Sequence, residues 1–144
     1  MPSTTSLTDT NVLSELIRPT PNAGVIAWSE TQGGMLLSAV TVHEVISGLA
    51  WKPRPRIRIW FDQFLTTHCQ VLPVTEEIAR RSGELRGSFQ AQGISRSVTD
   101  SLIAATAQIH GLTLVTRNVR HFEGWGIPLL NPFLSQPEDR SPSQ

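Results

Sequence analysis

Short apolar runs of strand length alternate along this chain with longer segments of helical pattern, and that alternation limits the fold more than any single residue does. Met35 to Ser38 (MLLS) is too short for a helix and reads as a buried strand. Val71 to Val74 and Thr113 to Thr116 (TLVT) read as further strands, and Pro128-Leu129-Leu130 as a last one. Thr4 to Thr8 (TTSLT) reads as a short first strand whose only large apolar residue is Leu7. Between them lie helices: Thr10 to Leu16, stopped by Arg18-Pro19-Thr20-Pro21, then one opened by Asn22 and ended by Gly33-Gly34. Thr41 starts another, and its spacing to Glu44 predicts a capping box. Ile57, Trp60, Phe61, Phe64 and Leu65 recur at helical spacing after the Lys52-Pro53-Arg54-Pro55 loop. Thr75 caps a long helix to about Gln92, and Ser97 begins SVTDSLIAATAQIHG, apolar around most of its circumference and closed by Gly111. Strands alternating with helices predict a parallel sheet with helices on both faces.

Length and composition agree with a single domain over residues 1–134, followed by a polar, Pro-bearing tail, 135–144, expected to be mobile. Apolar residues make up 39% and charged residues 17%, which argues against a disordered chain. No apolar run approaches the roughly 20 residues that span a bilayer. The first residues lack a basic region followed by an apolar one, so no signal peptide is read. The single cysteine, Cys69, excludes an internal disulfide and a Cys-rich zinc site, and reads as a small hydrophobe. A cytoplasmic location is therefore expected. Twelve basic residues balance twelve acidic ones, which argues against holding nucleic acid by bulk charge but not against a nuclease that meets few phosphates.

In parallel α/β folds, ligands bind beyond the carboxyl ends of the strands. Asp9 follows the first strand, Glu44 lies early in the helix after MLLS, Asn118 follows TLVT, and Asp100 sits in the first turn of the buried helix. Each has an ordinary role open to it. Asp9 can cap a helix, Glu44 can partner Thr41, Asp100 can serve a helix start, and Asn118 can be a turn residue. If they converge, the chemistry changes. Two carboxylates about 4 Å apart repel by about 4 kcal/mol at an effective dielectric near 20. Three together require a cation or raised pKa values. Hard oxygen donors suit Mg²⁺ or Mn²⁺, and such a site serves metal-assisted phosphodiester hydrolysis.

Asp9-Thr10-Asn11-Val12-Leu13-Ser14-Glu15, Thr41-Val42-His43-Glu44, Thr99-Asp100-Ser101-Leu102-Ile103-Ala104-Ala105-Thr106-Ala107 and Thr116-Arg117-Asn118-Val119-Arg120-His121-Phe122 occur in this order, followed by Asn131-Pro132-Phe133. This ordered set resembles the PIN-domain ribonuclease toxins of type II toxin–antitoxin pairs, of the VapC and FitB-like kind, over about residues 4–134. The resemblance implies a three-layer α/β/α domain with a mostly parallel sheet of four to five strands. It implies a Mg²⁺- or Mn²⁺-dependent endoribonuclease that hydrolyses RNA phosphodiester bonds through metal-activated water. Asp9, Glu44 and Asp100 match the family's acidic metal-site and catalytic positions. Asn118 stands at the fourth, which is often Asp, and Asn11 and Thr116 match supporting polar positions. A homodimer, a cognate antitoxin that blocks the site, and contact with DNA only through that antitoxin are also implied.

The chain departs from the pattern in two places. Asn118 brings no negative charge. The first strand is polar, with Thr4, Thr5, Ser6 and Thr8 where a buried parallel strand favours Val, Ile or Leu. These departures motivate a second expectation: a catalytically weak or inactive PIN-like domain that binds RNA or a protein partner. A phosphatase is disfavoured, because Asp9-Thr10-Asn11 lacks the paired-Asp nucleophile loop. Arg117 and Arg120 flank Asn118 and are candidate RNA contacts. The basic stretch Lys52, Arg54, Arg56 and Arg58 either tracks phosphates or is a solvated loop and helix start. Trp60, Phe61, Phe64 and Leu65 suit core packing or a dimer seam better than a groove for an antitoxin helix. His43 and His121 neighbour the site in sequence, but water activated by a metal needs no histidine base.

Overall fold

The computed structural model describes residues 5–134. Residues 1–4 and the tail 135–144, including the start of the expected first strand at Thr4, lie outside the described residues. Five strands form one parallel sheet: β1 (Ser6–Thr8), β2 (Met35–Ser38), β3 (Cys69–Leu72), β4 (Thr113–Val115) and β5 (Leu129–Leu130). The helices between them are α1 (Thr10–Ile17), α2 (Ala23–Glu30), α3 (Ala39–Trp51), α4 (Pro55–His68), α5 (Glu76–Ala91) and α6 (Val98–His110).

The strand order is β3-β2-β1-β4-β5. From β1 the chain steps outward to β2 and then β3. Helices α5 and α6 then carry it back past β1 to β4 and on to β5. The direction of travel therefore reverses beside β1, at the boundary with β4. A crevice opens at such a boundary beyond the strands' carboxyl ends, because the connections on either side leave in opposite directions.

The two-residue period of the strands sorts their side chains between two faces. Leu7, Leu36, Leu114 and Leu129 are register partners in a row across the sheet. They pack with Ile103, Ala104 and Ala107 of α6 and with Leu85 and Phe89 of α5. On the opposite face Met35 and Val115 meet Val12, Val25 and Trp28, while Leu37 meets Leu13, Val45 and Phe61. Those residues come from α1 to α4, so the sheet is the middle of three layers. Alanines on α6 let that helix lie close against the strands, which accounts for its apolar circumference. Phe61 is fully buried in this core; Trp60 and Phe64, stacked with centroids 4.8 Å apart, are only partly covered.

The polar first strand is held by its backbone. Ser6, Leu7 and Thr8 pair with Thr113, Leu114 and Val115 on one side, and Leu7 pairs with Leu36 on the other. The Asp9 amide extends the ladder by donating to the Val115 carbonyl at 2.9 Å. A strand laddered on both sides needs one well-placed leucine rather than a full apolar run.

Local chemistry sets the helix ends. The Thr75 and Ser97 hydroxyls accept from the Ile78 and Asp100 amides, and Gly111 takes the left-handed conformation (φ +64°) that closes α6. The expected Thr41–Glu44 capping box is not formed. Helix α3 begins at Ala39, and Ser38 caps it by accepting from the Val40 amide at 3.0 Å. The last residue of β2 is itself a good cap, so strand passes into helix with no loop between. Thr41 is consequently an interior position, 1% exposed, and its hydroxyl has no hydrogen-bond partner among the described residues.

Candidate active site

Asp9 leaves the end of β1 and Thr116 the end of β4, on the two sides of the crevice. The Thr116 hydroxyl donates to Asp9 Oδ2 at 2.8 Å, and the Thr10 amide donates to Asp9 Oδ1 at 2.8 Å. Asp9 thus caps α1 with one oxygen and is tied to β4 with the other. The Asn11 amide nitrogen donates to Asp9 Oδ2 at 3.2 Å and to Thr116 Oγ1 at 3.3 Å, while Asn11 Oδ1 accepts from the Arg117 amide at 3.0 Å. The Asn118 amide closes this network by donating to Thr116 Oγ1 at 3.0 Å. Both oxygens of the Asp9 carboxylate are therefore held by hydrogen bonds.

Glu44 reaches the same edge from α3. The hydroxyl of Thr10 donates to Glu44 Oε1. Asp100 comes from the first turn of α6, where its amide is held by Ser97. Its Oδ2 lies 3.8 Å from His121 Nδ1.

Asp9 is buried, and burial pushes its carboxyl above the ordinary range. Hydrogen bonds from Thr116 and Thr10 pull the other way. The charges of Glu44 and Asp100 push it up again, so both carboxylates lie within electrostatic reach of Asp9. Among the described residues neither Glu44 nor Asp100 is hydrogen-bonded to Asp9.

Asn118 is brought to this edge through its backbone; its side chain is exposed and makes no hydrogen bond among the described residues. Arg117 sets its guanidinium 4.7 Å over the Phe133 ring. Arg117, Asn118, Arg120 and His121 line a shallow depression of about 250 Å³, and Asp100 lies 3.8 Å from its His121. His43 is exposed on α3.

A PIN domain family model matches residues 6–123. The chain belongs to the PIN domain family. The VapC ribonuclease Y4jK of Sinorhizobium fredii is 35% identical over 133 residues, covering 87% of this chain and 95% of that protein. Among solved structures, FitAcB from Neisseria gonorrhoeae superposes with a TM-score of 0.77 at 32% identity, covering 89% of this chain and 98% of that one. A toxin-antitoxin complex from Klebsiella pneumoniae matches at 29% identity and a TM-score of 0.67, covering 88% of this chain and 97% of that one. The α/β/α architecture expected from the alternating pattern is thus the PIN-domain fold.

The donors at the centre of this PIN domain are all oxygens: carboxylates, hydroxyls and amide carbonyls. That set matches Mg²⁺ or Mn²⁺ and not a soft metal. Among the described residues no three His, Cys, Asp or Glu side chains stand together as a ready-made metal cage. Mg²⁺ does not need one, since it keeps several waters and takes one or two carboxylates directly. The buried Asp9, flanked by two further negative charges, fits such a hydrated ion.

Thr10 was not anticipated as a site residue. It lies between Asp9 and Asn11 in the DTN motif, and its first-turn position on α1 turns its hydroxyl toward α3. The motif itself was the only sequence signal for it, because its partner lies 34 positions away.

Proposed function

We propose that this PIN domain is a Mg²⁺- or Mn²⁺-dependent endoribonuclease acting as the toxin of a toxin–antitoxin pair. The observation that carries the proposal is the buried, oriented Asp9 carboxylate with Glu44 and Asp100 within electrostatic reach. The names of the matched relatives, a VapC ribonuclease and a toxin-antitoxin complex, support the ribonuclease and toxin parts of it.

In this mechanism Asp9 and Asp100 would hold the ion, with Glu44 and the Asn118 amide oxygen as further oxygen donors. When bound, the ion supplies Lewis acidity toward water and offsets charge on the phosphoryl transition state. The chain's own residues prepare the site. Thr116 and Asn11 fix the Asp9 carboxylate, Thr10 holds Glu44 in one rotamer, and the α6 N-terminus sets Asp100. Arg117 and Arg120 meet the RNA backbone beside the scissile phosphate. An amide at Asn118 rather than a carboxylate leaves the site one negative charge poorer, which favours one tightly held ion over two.

The partners follow from the same proposal: a cognate antitoxin that covers the acidic edge, a second copy in a homodimer, and DNA reached only through the antitoxin. Among the described residues no helix is long and apolar enough to cross a membrane.

Purified protein with Mn²⁺ and a panel of structured RNAs tests the proposal. Asp100→Asn is expected to cut RNA at least roughly a hundredfold more slowly, with an unchanged circular dichroism spectrum. Cleavage that survives excess EDTA would overturn the metal assignment. If no RNA is cut under any divalent ion, the second expectation, a PIN-like domain that binds without cutting, replaces this one.

A further inference from the structure

The acidic edge continues into a groove. About 350 Å³ of space lies along α3 and beside α1, with Thr10 and Glu44 at one end and Trp51, Lys52 and Arg54 at the other. Glu44, Gly48 and Trp51 are four and three residues apart, so they line one face of the helix. Gly48 is the open middle of that face: a Cβ built there meets nothing within 4 Å.

Trp51 is 77% exposed, the most exposed large hydrophobic residue among those described. The Lys52 ammonium sits 4.5 Å from its ring centroid. Among the described residues neither Lys52, Arg54 nor Arg56 is paired with a carboxylate, and Arg58 alone in this stretch pairs, with Asp62. In a chain of zero net charge this is a local surplus of cations. An exposed aromatic ring beside unpaired cations is the chemistry that holds single-stranded nucleic acid. The ring stacks on a base, and the cations meet the neighbouring phosphates. Ile17, Val45, Leu49 and Ile57 also line the groove; an apolar partner helix would cover them and Trp51 but leave those cations unmatched.

We infer that this groove is a subsite for an unpaired nucleotide of the RNA substrate, on the Glu44 side of the scissile phosphate. Its base stacks on Trp51, and its phosphates meet Lys52 and Arg54. The inference rests on the ribonuclease proposal and adds what that proposal lacks, a reason for preferring unpaired RNA. It also accounts for the basic stretch that charge balance left unexplained.

The test is binding of a mixed-sequence single-stranded RNA of about 12 nucleotides to the full chain, in EDTA so that nothing is cut. Tryptophan emission and the anisotropy of an end label are followed together. RNA is expected to quench emission in the wild type. Trp51→Ala should abolish most of that quenching and raise Kd about tenfold, while Trp51→Phe stays near wild type in Kd. Gly48→Leu, whose Cβ meets nothing within 4 Å, places bulk in the groove and should raise Kd as well, and its circular dichroism should be unchanged. Wild-type Kd in both Trp51→Ala and Gly48→Leu overturns the inference. So does a loss confined to capture of the cognate antitoxin, which would make the groove a protein-docking face. If RNA is cut with Mn²⁺ but Trp51 is dispensable for binding, the groove fails alone; if nothing is cut, the ribonuclease proposal fails whatever Trp51 does.

Discussion

A carboxylate at Asp9 costs the fold something, because it is buried with two like charges in reach; the hydroxyl of Thr116 and the amide of Thr10 offset part of that cost. Thr10 contributes twice, through its amide to Asp9 and its hydroxyl to Glu44. Thr10→Val keeps the shape and the amide but removes the hydroxyl. The expected result is a fall in kcat of about tenfold, the worth of one hydrogen bond to a charged group, with little change in thermal stability; RNA cleavage kinetics check it. Cys69 offers a test away from the site. Burial pushes its thiol from the ordinary 9.0 up to about 11. A raised folded-state value means that the contribution to stability is complete below pH 9.0 and is lost as the pH climbs through about 11. Denaturant titrations should therefore show wild-type stability declining over that window relative to Cys69→Ala, and labelling of the folded thiol by iodoacetamide at neutral pH should be slow.

At the level of elements, what could be read from the chain was whatever a few neighbouring residues decide. Thr75, Ser97 and Gly111 mark their helix ends in sequence because a cap needs only its own turn. The sequence puts the start of α3 at Thr41 because Thr41 and Glu44 have capping-box spacing; in the structure Ser38 both ends β2 and caps the helix, leaving no loop between. The Thr41 hydroxyl is left buried without a partner among the described residues, which costs free energy that a methyl would not. Thr41→Val is expected to gain about 1 kcal/mol, read as a Tm higher by roughly 2–4 °C. A lower Tm would mean that the hydroxyl is satisfied. The parallel pairing of the strands was legible from their alternation with helices. Their order was not, since nothing local to β4 says that it lies beside β1 rather than beyond β3.

Across the whole molecule, the candidate site was legible as a set of residue types at strand ends, but not as a network. The Asp9–Thr116 bond spans 107 positions, and the Thr10–Glu44 bond joins two helices whose packing is set by Leu13, Leu37, Val45 and Phe61. Asn118 shows the limit of the motif: its position was expected and its backbone takes part, while its exposed side chain forms no bond among the described residues. If Asp9 holds a divalent ion as proposed, adding Mg²⁺ or Mn²⁺ at ten times its Kd should raise stability by about 1.4 kcal/mol. A thermal melt should show this in the wild type and not in Asp9→Asn.

The position of β1 has a consequence for synthesis. Its amide ladder on one side and the hydroxyl that orients Asp9 both come from β4, more than a hundred residues later. A translation product that ends before Thr113 has an open central strand and an unheld Asp9. The proposed cleavage site is therefore expected to assemble only once the last strands have left the ribosome, and RNA cleavage by a chain truncated before Thr113 would contradict this.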